Sequence, residues 1–381
     1  MTVRVAKPAF NVREKLSELD VPVGTHGSQL MKSADAAESF DLVRAGRKNM
    51  LINGNMVIDQ RNLGNSAAIG TYYYLDRWEF NKSNDGAATC QKVDDAPPDF
   101  KSSLKFTTTT ADTSAAAGQY MYLRQMIEGH DFKQAAFGTG DAKTITFSFY
   151  VKSSLVGLFG GAVWNNSFDK CYPYDYTINT ANTWERKSIT IPGCPDGTWE
   201  KGTGRGISIG FVQLCGSTYT GTVNSWGNTA KLGPTNHTNI MATNGSTWQI
   251  TGLQVELGSV ATPYEHRSYA EELALCQRYF YGINNTVDQF RGIGFGGGPN
   301  WATCVLYFPT VMRENPDATA VNSGSMYFNN GTSAWSSSSL TFNTSIYGAT
   351  FGANMSGSTK GEALSIYTTN SNVKLNFEAE L

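Results

Sequence analysis

The stretch KTITFSFYVKS, residues 143–153, places Ile145, Phe147, Phe149 and Val151 at every second position, with Thr144, Thr146, Ser148 and Lys152 on the other phase. Side chains alternate faces along an extended chain, so this spacing specifies a half-buried strand. The pattern recurs in ERKSITIPG (185–193) and in GISIGFVQLCG (206–216). In the latter, Ile207, Ile209, Phe211 and Gln213 alternate with Ser208, Gly210, Val212 and Leu214; both faces are partly apolar, as in a central strand. NMLINGNMVIDQR sets Leu51 against Met56 and Ile58 around an Asn-Gly turn. Short strands joined by Gly, Asn and Pro turns, with no long helix between them, cannot build a parallel sheet. They leave an all-β class, an antiparallel β-sandwich of jelly-roll type, expected over 48–267.

Composition narrows the partners. Charged residues are 16 % of the 381, against roughly 25 % in average soluble proteins, and the net charge is −2 with no basic stripe. Nucleic acid is therefore not expected, because phosphate neutralisation needs clustered Lys and Arg. No stretch approaches the ~20 apolar residues that span a bilayer, and MTVRVAKPAF lacks a signal-peptide core. Synthesis in a cytoplasm is the expectation. The six cysteines are scattered without a CxxC, so they are expected as free, buried thiols rather than disulfides or zinc ligands.

Three further regions flank the sandwich. Residues 1–47 hold helix formers in VREKLSELD (12–20) and SADAAESFDLVRAG (33–46), the second with Ser33 as cap and Gly46 as stop. Short helices without a core need a partner surface; Val12, Leu16, Leu19, Phe40 and Leu42 are the candidate docking side chains, in preference to a flexible tail. SYAEELALCQRYFYG (268–282) reads as a linking helix. Ser268 and Glu271 form a capping box, Leu273, Cys276, Gln277 and Phe280 a stripe, and Gly282 the stop. Residues 283–381 read as a second, smaller β-domain, with alternation in Leu364, Ile366 and Tyr367 and in Val373, Leu375 and Phe377.

WQITGLQVELGSVATPYEHRS (248–268) joins these regions. Trp248 and Ile250 share one phase, and Leu253, Val255 and Leu257 the other. A strand switches phase only by inserting a residue, so a bulge is expected at Thr251-Gly252, with Glu256 facing water. Glu265, His266 and Arg267 could form a catalytic set. Strand neighbours point to opposite faces, so Glu265 does not orient His266, and Pro263 fixes an extended approach. A domain-closing strand is the simpler account.

Other chemistry is sparse. His26, His130, His237 and His266 lack metal-ligand spacing, and Glu128, His130 and Asp131 suit a solvated turn. There is no GxSxG. Asp76 with Glu79, and Asp94 with Asp95, are pairs that sequence cannot place across a cleft. No DxDxDG loop names calcium ligands. The chain reads as no enzyme, without cofactor. Aromatic rings in Gly/Asn-rich stretches are candidate sugar-stacking surfaces: Trp164, Tyr174, Trp199 and Trp226, with Trp335 in the C-terminal region. Rim packing or a contact between subunits would use the same rings.

Three segments carry a resemblance: NMLINGNMVIDQRN, then YYLDRWEF (73–80), then WQITGLQVELGSVATPYEHRSYAEELALCQRYF (248–280). They resemble phage tail-fibre and other virion appendage proteins whose jelly roll is similar to a carbohydrate-binding module, over roughly residues 47–315. FNVREKLSELDVP (10–22) is similar to their virion-anchoring segments. Pro309, Met312, Arg313 and Pro316 match an element that enters their distal domain. The resemblance implies a homotrimer in the virion, assembled in the host cytoplasm. It would dock on tail or collar proteins through residues 1–47 and bind host surface polysaccharide. Such jelly rolls often hold a structural Ca²⁺. A capsid decoration or adaptor protein without receptor binding, and a glycan depolymerase, are the alternatives.

Overall fold

The alternating segments become strands of two six-stranded sheets. In chain order they are β1 (Ala67–Ala68), β2 (Tyr72–Leu75), β3 (Trp78–Ser83), β4 (Ala87–Val93), β5 (Ser103–Thr110) and β6 (Tyr120–Glu128). Then follow β7 (Ile145–Ser153), β8 (Gly157–Trp164), β9 (Cys171–Ile178), β10 (Glu185–Ile191) and β11 (Arg205–Cys215). A short parallel pair, β12 (Thr220–Gly221) and β13 (Gly233–Pro234), precedes β14 (Thr247–Leu257). The sheet orders are β1-β4-β5-β14-β7-β10 and β2-β3-β6-β11-β8-β9, antiparallel throughout. The computed structural model describes residue 27 and residues 48–284, 291–298, 301–321, 326–336, 340–354, 358–368 and 373–381. The docking side chains Val12, Leu16, Leu19, Phe40 and Leu42 lie outside the described residues.

Phe147 and Phe149 of β7 face Phe211 of β11 across the sheets, with the Phe149 and Phe211 rings 5.1 Å apart. Burying such aromatic side chains is the dominant stabilisation of the sandwich. Strand β11 lies between β6 and β8 and is buried on both faces. On its outer side Val212 joins Tyr122, Trp164 and Leu232 in a separate small core.

The bulge falls where expected. The register of β14 against β7 shifts between Thr251 and Gln254, and Gly252 has φ 64°. A Cβ there would lie 2.6 Å from the Phe100 ring, so the position needs glycine twice over. Glu256 departs from the expectation: it is 1 % exposed. The chain after β14 folds back over it, and Gln254 Nε2, Thr262 N and Thr262 Oγ1 donate to its carboxylate at 2.8–2.9 Å. A sheet face that alternation leaves polar has here been roofed and its acid satisfied.

Among the described residues, α1 (Gly129–Phe132) and α2 (Tyr269–Gln277) flank the sheets. Ser268 Oγ caps α2 by accepting from Glu271 N at 3.2 Å. The helix ends at Gln277 rather than running to Gly282. Phe280–Asn284 instead forms strand β15, because its backbone pairs with β24 (Lys374–Glu378), Gly282 opposite Asn376. Between them lie β16 (Arg291–Gly298), β17 (Trp301–Tyr307), β18 (Asp317–Val321), β19 (Met326–Asn329), β20 (Ala334–Ser336), β21 (Leu340–Ser345), β22 (Gly348–Asn354) and β23 (Ala363–Thr368). They form sheets β15-β24-β18 and β20-β19-β23-β16-β17-β22-β21. Their shared core holds Cys304, Met312, Phe328, Phe351, Leu364, Ile366, Leu375 and Phe377.

Residues 49–381 are one compact unit, and ions seal its two cores together. Arg61 pairs with Glu378 at 3.2 Å and with Glu380 at 2.9 Å. Arg77 pairs with Glu380, donates to Met126 O, and lies 3.6 Å from the Tyr279 ring centre. Arg313 donates to the Ala379 and Glu380 carbonyls at 2.8 and 2.6 Å. The C-terminal residues thus clasp the sandwich.

Candidate carbohydrate-binding surface

A ring that stacks on sugar needs an open face, and most of the expected rings lack one. Trp164 and Tyr174 are fully buried. Trp164 stacks on Phe168 at 5.2 Å and meets Tyr122 edge-on. Tyr174 sits 4.8 Å from Phe147 and donates its hydroxyl to Gly210 O at 2.8 Å. Trp199 is buried against Phe132 and Phe137, its Nε1 donating to Asp196 O at 3.0 Å. Trp226 is brought to the same cluster, 5.7 Å from Trp199 and 5.2 Å from Tyr172, and is half-buried. Trp335, on β20, is half-buried against the second core. The five therefore do not form one surface. For Trp164 and Tyr174 the reason is that glycines on the packed strands make room for the rings. A Cβ on Gly161 would lie 2.6 Å from the Tyr174 hydroxyl, and one on Gly210 would run into Trp164.

The acids and bases are engaged structurally. Asp76 is buried and accepts from Gln60 N and Nε2 at 2.7 and 2.5 Å. Burial pushes its carboxyl up to about 6, against the pull of Arg61. Glu79 takes a two-pronged contact from Arg124 at 2.7 and 3.1 Å. Asp94 pairs with Lys101, and Asp95 with Lys152. Glu128 is no solvated turn residue but a buried acid beneath Arg278 and the Tyr279 hydroxyl, at 2.8 and 2.6 Å. Burial alone would raise its carboxyl; those two donors outweigh it and hold it below the usual range. Glu265 accepts from Asn49 N at 2.6 Å, Arg267 donates to the Asn49 and Leu51 carbonyls and pairs with Glu272, and His266 packs on Phe100 and Tyr264. These three residues close the domain. Among the described residues no group of three or more His, Cys, Asp or Glu is placed to hold a metal ion.

The accessible rings are ones the sequence reading passed over. Across β17, β22 and β21 the pairing sets Tyr307 beside Gly348 and Ser345, and Val305 beside Thr350 and Asn343. Cross-strand partners share a face. Gly348 has no side chain, and a Cβ there would collide with the Leu306 carbonyl, so the row dips between Tyr307 and Ser345. The result is a groove of about 260 Å³ whose lining contains no charged residue. Tyr307 is 80 % exposed and Tyr347, in the β21–β22 turn, 64 %. That turn is fixed: Phe308 N donates to Tyr347 O at 3.0 Å and Met312 N to Ile346 O at 2.9 Å. On β16 the same outer face continues with Ile293 and Phe295, both exposed. The available signal was the alternation Val305, Tyr307 in WATCVLYF, which leaves a valine and a tyrosine on the face opposite Cys304.

No family model and no curated protein matches the chain. Among solved structures, the enzymatically active domain of tailspike protein 4 of bacteriophage CBA120 is 13 % identical, with TM-score 0.32. That likeness covers 55 % of this chain and 21 % of the tailspike chain, so the protein spans about a fifth of its length. A family 11 carbohydrate-binding module from a Clostridium thermocellum cellulase is 12 % identical, TM-score 0.26, covering 52 % and 98 %. The tripod of the bacteriophage Tuc2009 baseplate is 11 % identical, TM-score 0.24, covering 85 % and 91 %.

Proposed function

We propose that the protein is a structural component of a phage particle, a tail fibre that binds host surface glycans without cleaving them. Residues 1–47 attach it to tail or collar proteins. The sandwich is a scaffold, and the C-terminal sheets carry the binding surface. One observation carries the reading: two exposed rings, Tyr307 and Tyr347, line one uncharged groove in the C-terminal region, while most of the rings expected on the sandwich are spent on packing. The motifs at 48–61, 73–80 and 248–280 support placement in a virion. Copies of the chain would associate as a homotrimer. Several weak sites on one particle then give strong attachment.

The test is adsorption of the full chain to host cells and to isolated host polysaccharide, with immunogold labelling of intact particles. Label at the tail and saturable adsorption are expected. Label on the shell, without adsorption, would favour the decoration protein. Release of reducing ends from the polysaccharide, abolished by Asp76→Asn or Glu79→Gln, would overturn the non-enzymatic reading.

A further inference from the structure

The groove's chemistry limits what can occupy it. Its face offers two phenol rings, the Asn343 amide and the Thr350 hydroxyl, beside Val305 and Gly348; the Ser345 hydroxyl is tied into the turn, donating to Gly348 O and accepting from Tyr347 N. A sugar ring presents apolar C–H patches to an aromatic face and hydroxyls to its edge. Both are met here, by Tyr307 and Tyr347 on one hand and the amide and the Thr350 hydroxyl on the other. A carboxylate or ammonium would find no opposite charge there to favour it over a neutral sugar. Selectivity thus comes from what is missing as much as from what is present. The volume, about 260 Å³, lies just below the roughly 300–1,000 Å³ of drug-sized sites. It has room for a single sugar unit.

We infer that the groove formed by β17, β22 and β21 binds a neutral sugar unit, stacked on Tyr307 and Tyr347 and read by Asn343 and Thr350. This rests on the glycan-binding reading above and fixes the place and the charge class of the ligand. The whole chain is assayed on an oligosaccharide array carrying neutral, uronate- or sialate-bearing, and free-amine members. Neutral members should be retained. Tyr307→Ala and Tyr347→Ala should each weaken binding by roughly tenfold or more. Tyr347→Phe keeps the ring and should keep binding. Tyr269→Ala, which removes an exposed tyrosine on α2, should change nothing. Asn343→Asp should weaken neutral binding by adding an unmatched charge. All the side chains substituted are at the surface, and matched thermal melts show that the fold is intact. Preference for charged oligosaccharides overturns the inference. So does neutral binding that survives both Tyr→Ala changes, which would leave glycan attachment standing with its site elsewhere. No signal on the array, with no adsorption to host cells, would sink both.

Discussion

Glu380→Gln should be among the most damaging single changes at the C-terminus. The Glu380 side chain is 5 % exposed, and its two oxygens face Arg61 and Arg77, themselves 10 % and 1 % exposed. Glutamine keeps the shape and removes the charge. Arg61 retains Glu378, a partner that is 43 % exposed. Arg77 retains the Met126 carbonyl and the Tyr279 ring but no counter-charge, and the amide that replaces Glu380 has a single oxygen for two guanidinium groups. Breaking one partner of a buried pair costs about 3–5 kcal/mol, because a dehydrated charge is left uncompensated. For a unit of this size each kcal/mol moves the melting temperature by about 2 °C, so a fall of roughly 6–10 °C is expected by calorimetry. The pair Glu380→Gln, Arg77→Met tests the cause. Replacing both partners by groups without charge removes the orphan, and the double variant should be more stable than Glu380→Gln alone. A melting temperature for Glu380→Gln within about 2 °C of the parent, or a double variant that simply sums the two losses, would refute the reasoning.

Other expectations follow from single positions. Asp76 releases its proton near pH 6 in the folded chain, against an ordinary 3.8. Between about pH 4 and 6 the folded state therefore holds more protons than the unfolded, and stability falls as pH rises through that window, by up to about 3 kcal/mol. Asp76→Asn should flatten that part of a urea-melt pH profile; an unchanged slope means the carboxyl is not the source. Gly252→Val places a β-branched residue at φ 64° against Phe100; a loss of about 1–3 kcal/mol is expected, and a wild-type melt would show that the bulge relaxes freely. Ser268→Ala removes the cap of α2, which should cost about 1 kcal/mol in denaturant titration; no loss would mean that packing alone holds the helix.

The class of fold was legible because alternation is a property of neighbours in sequence. Ile145, Phe147, Phe149 and Val151 point the same way whatever the rest of the chain does. The bulge at Gly252 was legible for the same reason, since a phase switch leaves its mark in the residues on either side. What failed depended on distant partners. Gly282 looks like a helix stop, and the residue that overrides it is Asn376, on a strand ninety-odd positions away. Glu256 looks solvent-facing until Thr262 folds back on it. Trp164 and Tyr174 looked exposed because glycine-rich surroundings suggest loops; only the packed sheets show that those glycines are the space the rings fill. The groove was the hardest to see. Asn343–Thr350 is one short hairpin, but Tyr307 stands some forty positions before it, and only the pairing of β17 with β22 brings the two together.

The clasp and the groove bear on one another through entropy. On the proposed reading, a single sugar in a small uncharged groove would gain little per site, because each encounter must offset the motion it freezes. Attachment would then depend on several grooves engaging together, and their effective concentration on how firmly each is held relative to the particle. In this chain the C-terminal sheets do not hang on a flexible linker. Arg61, Arg77 and Arg313 grip the last residues, while Arg278 and Tyr279, just after α2, grip Glu128 on β6. Loosening that grip should therefore weaken adsorption of whole particles more than binding of a single soluble oligosaccharide. Glu380→Gln, measured below its melting range in both formats, separates the two. Equal losses would mean that the clasp shapes the groove itself. A loss confined to particles would mean that it holds the groove in place.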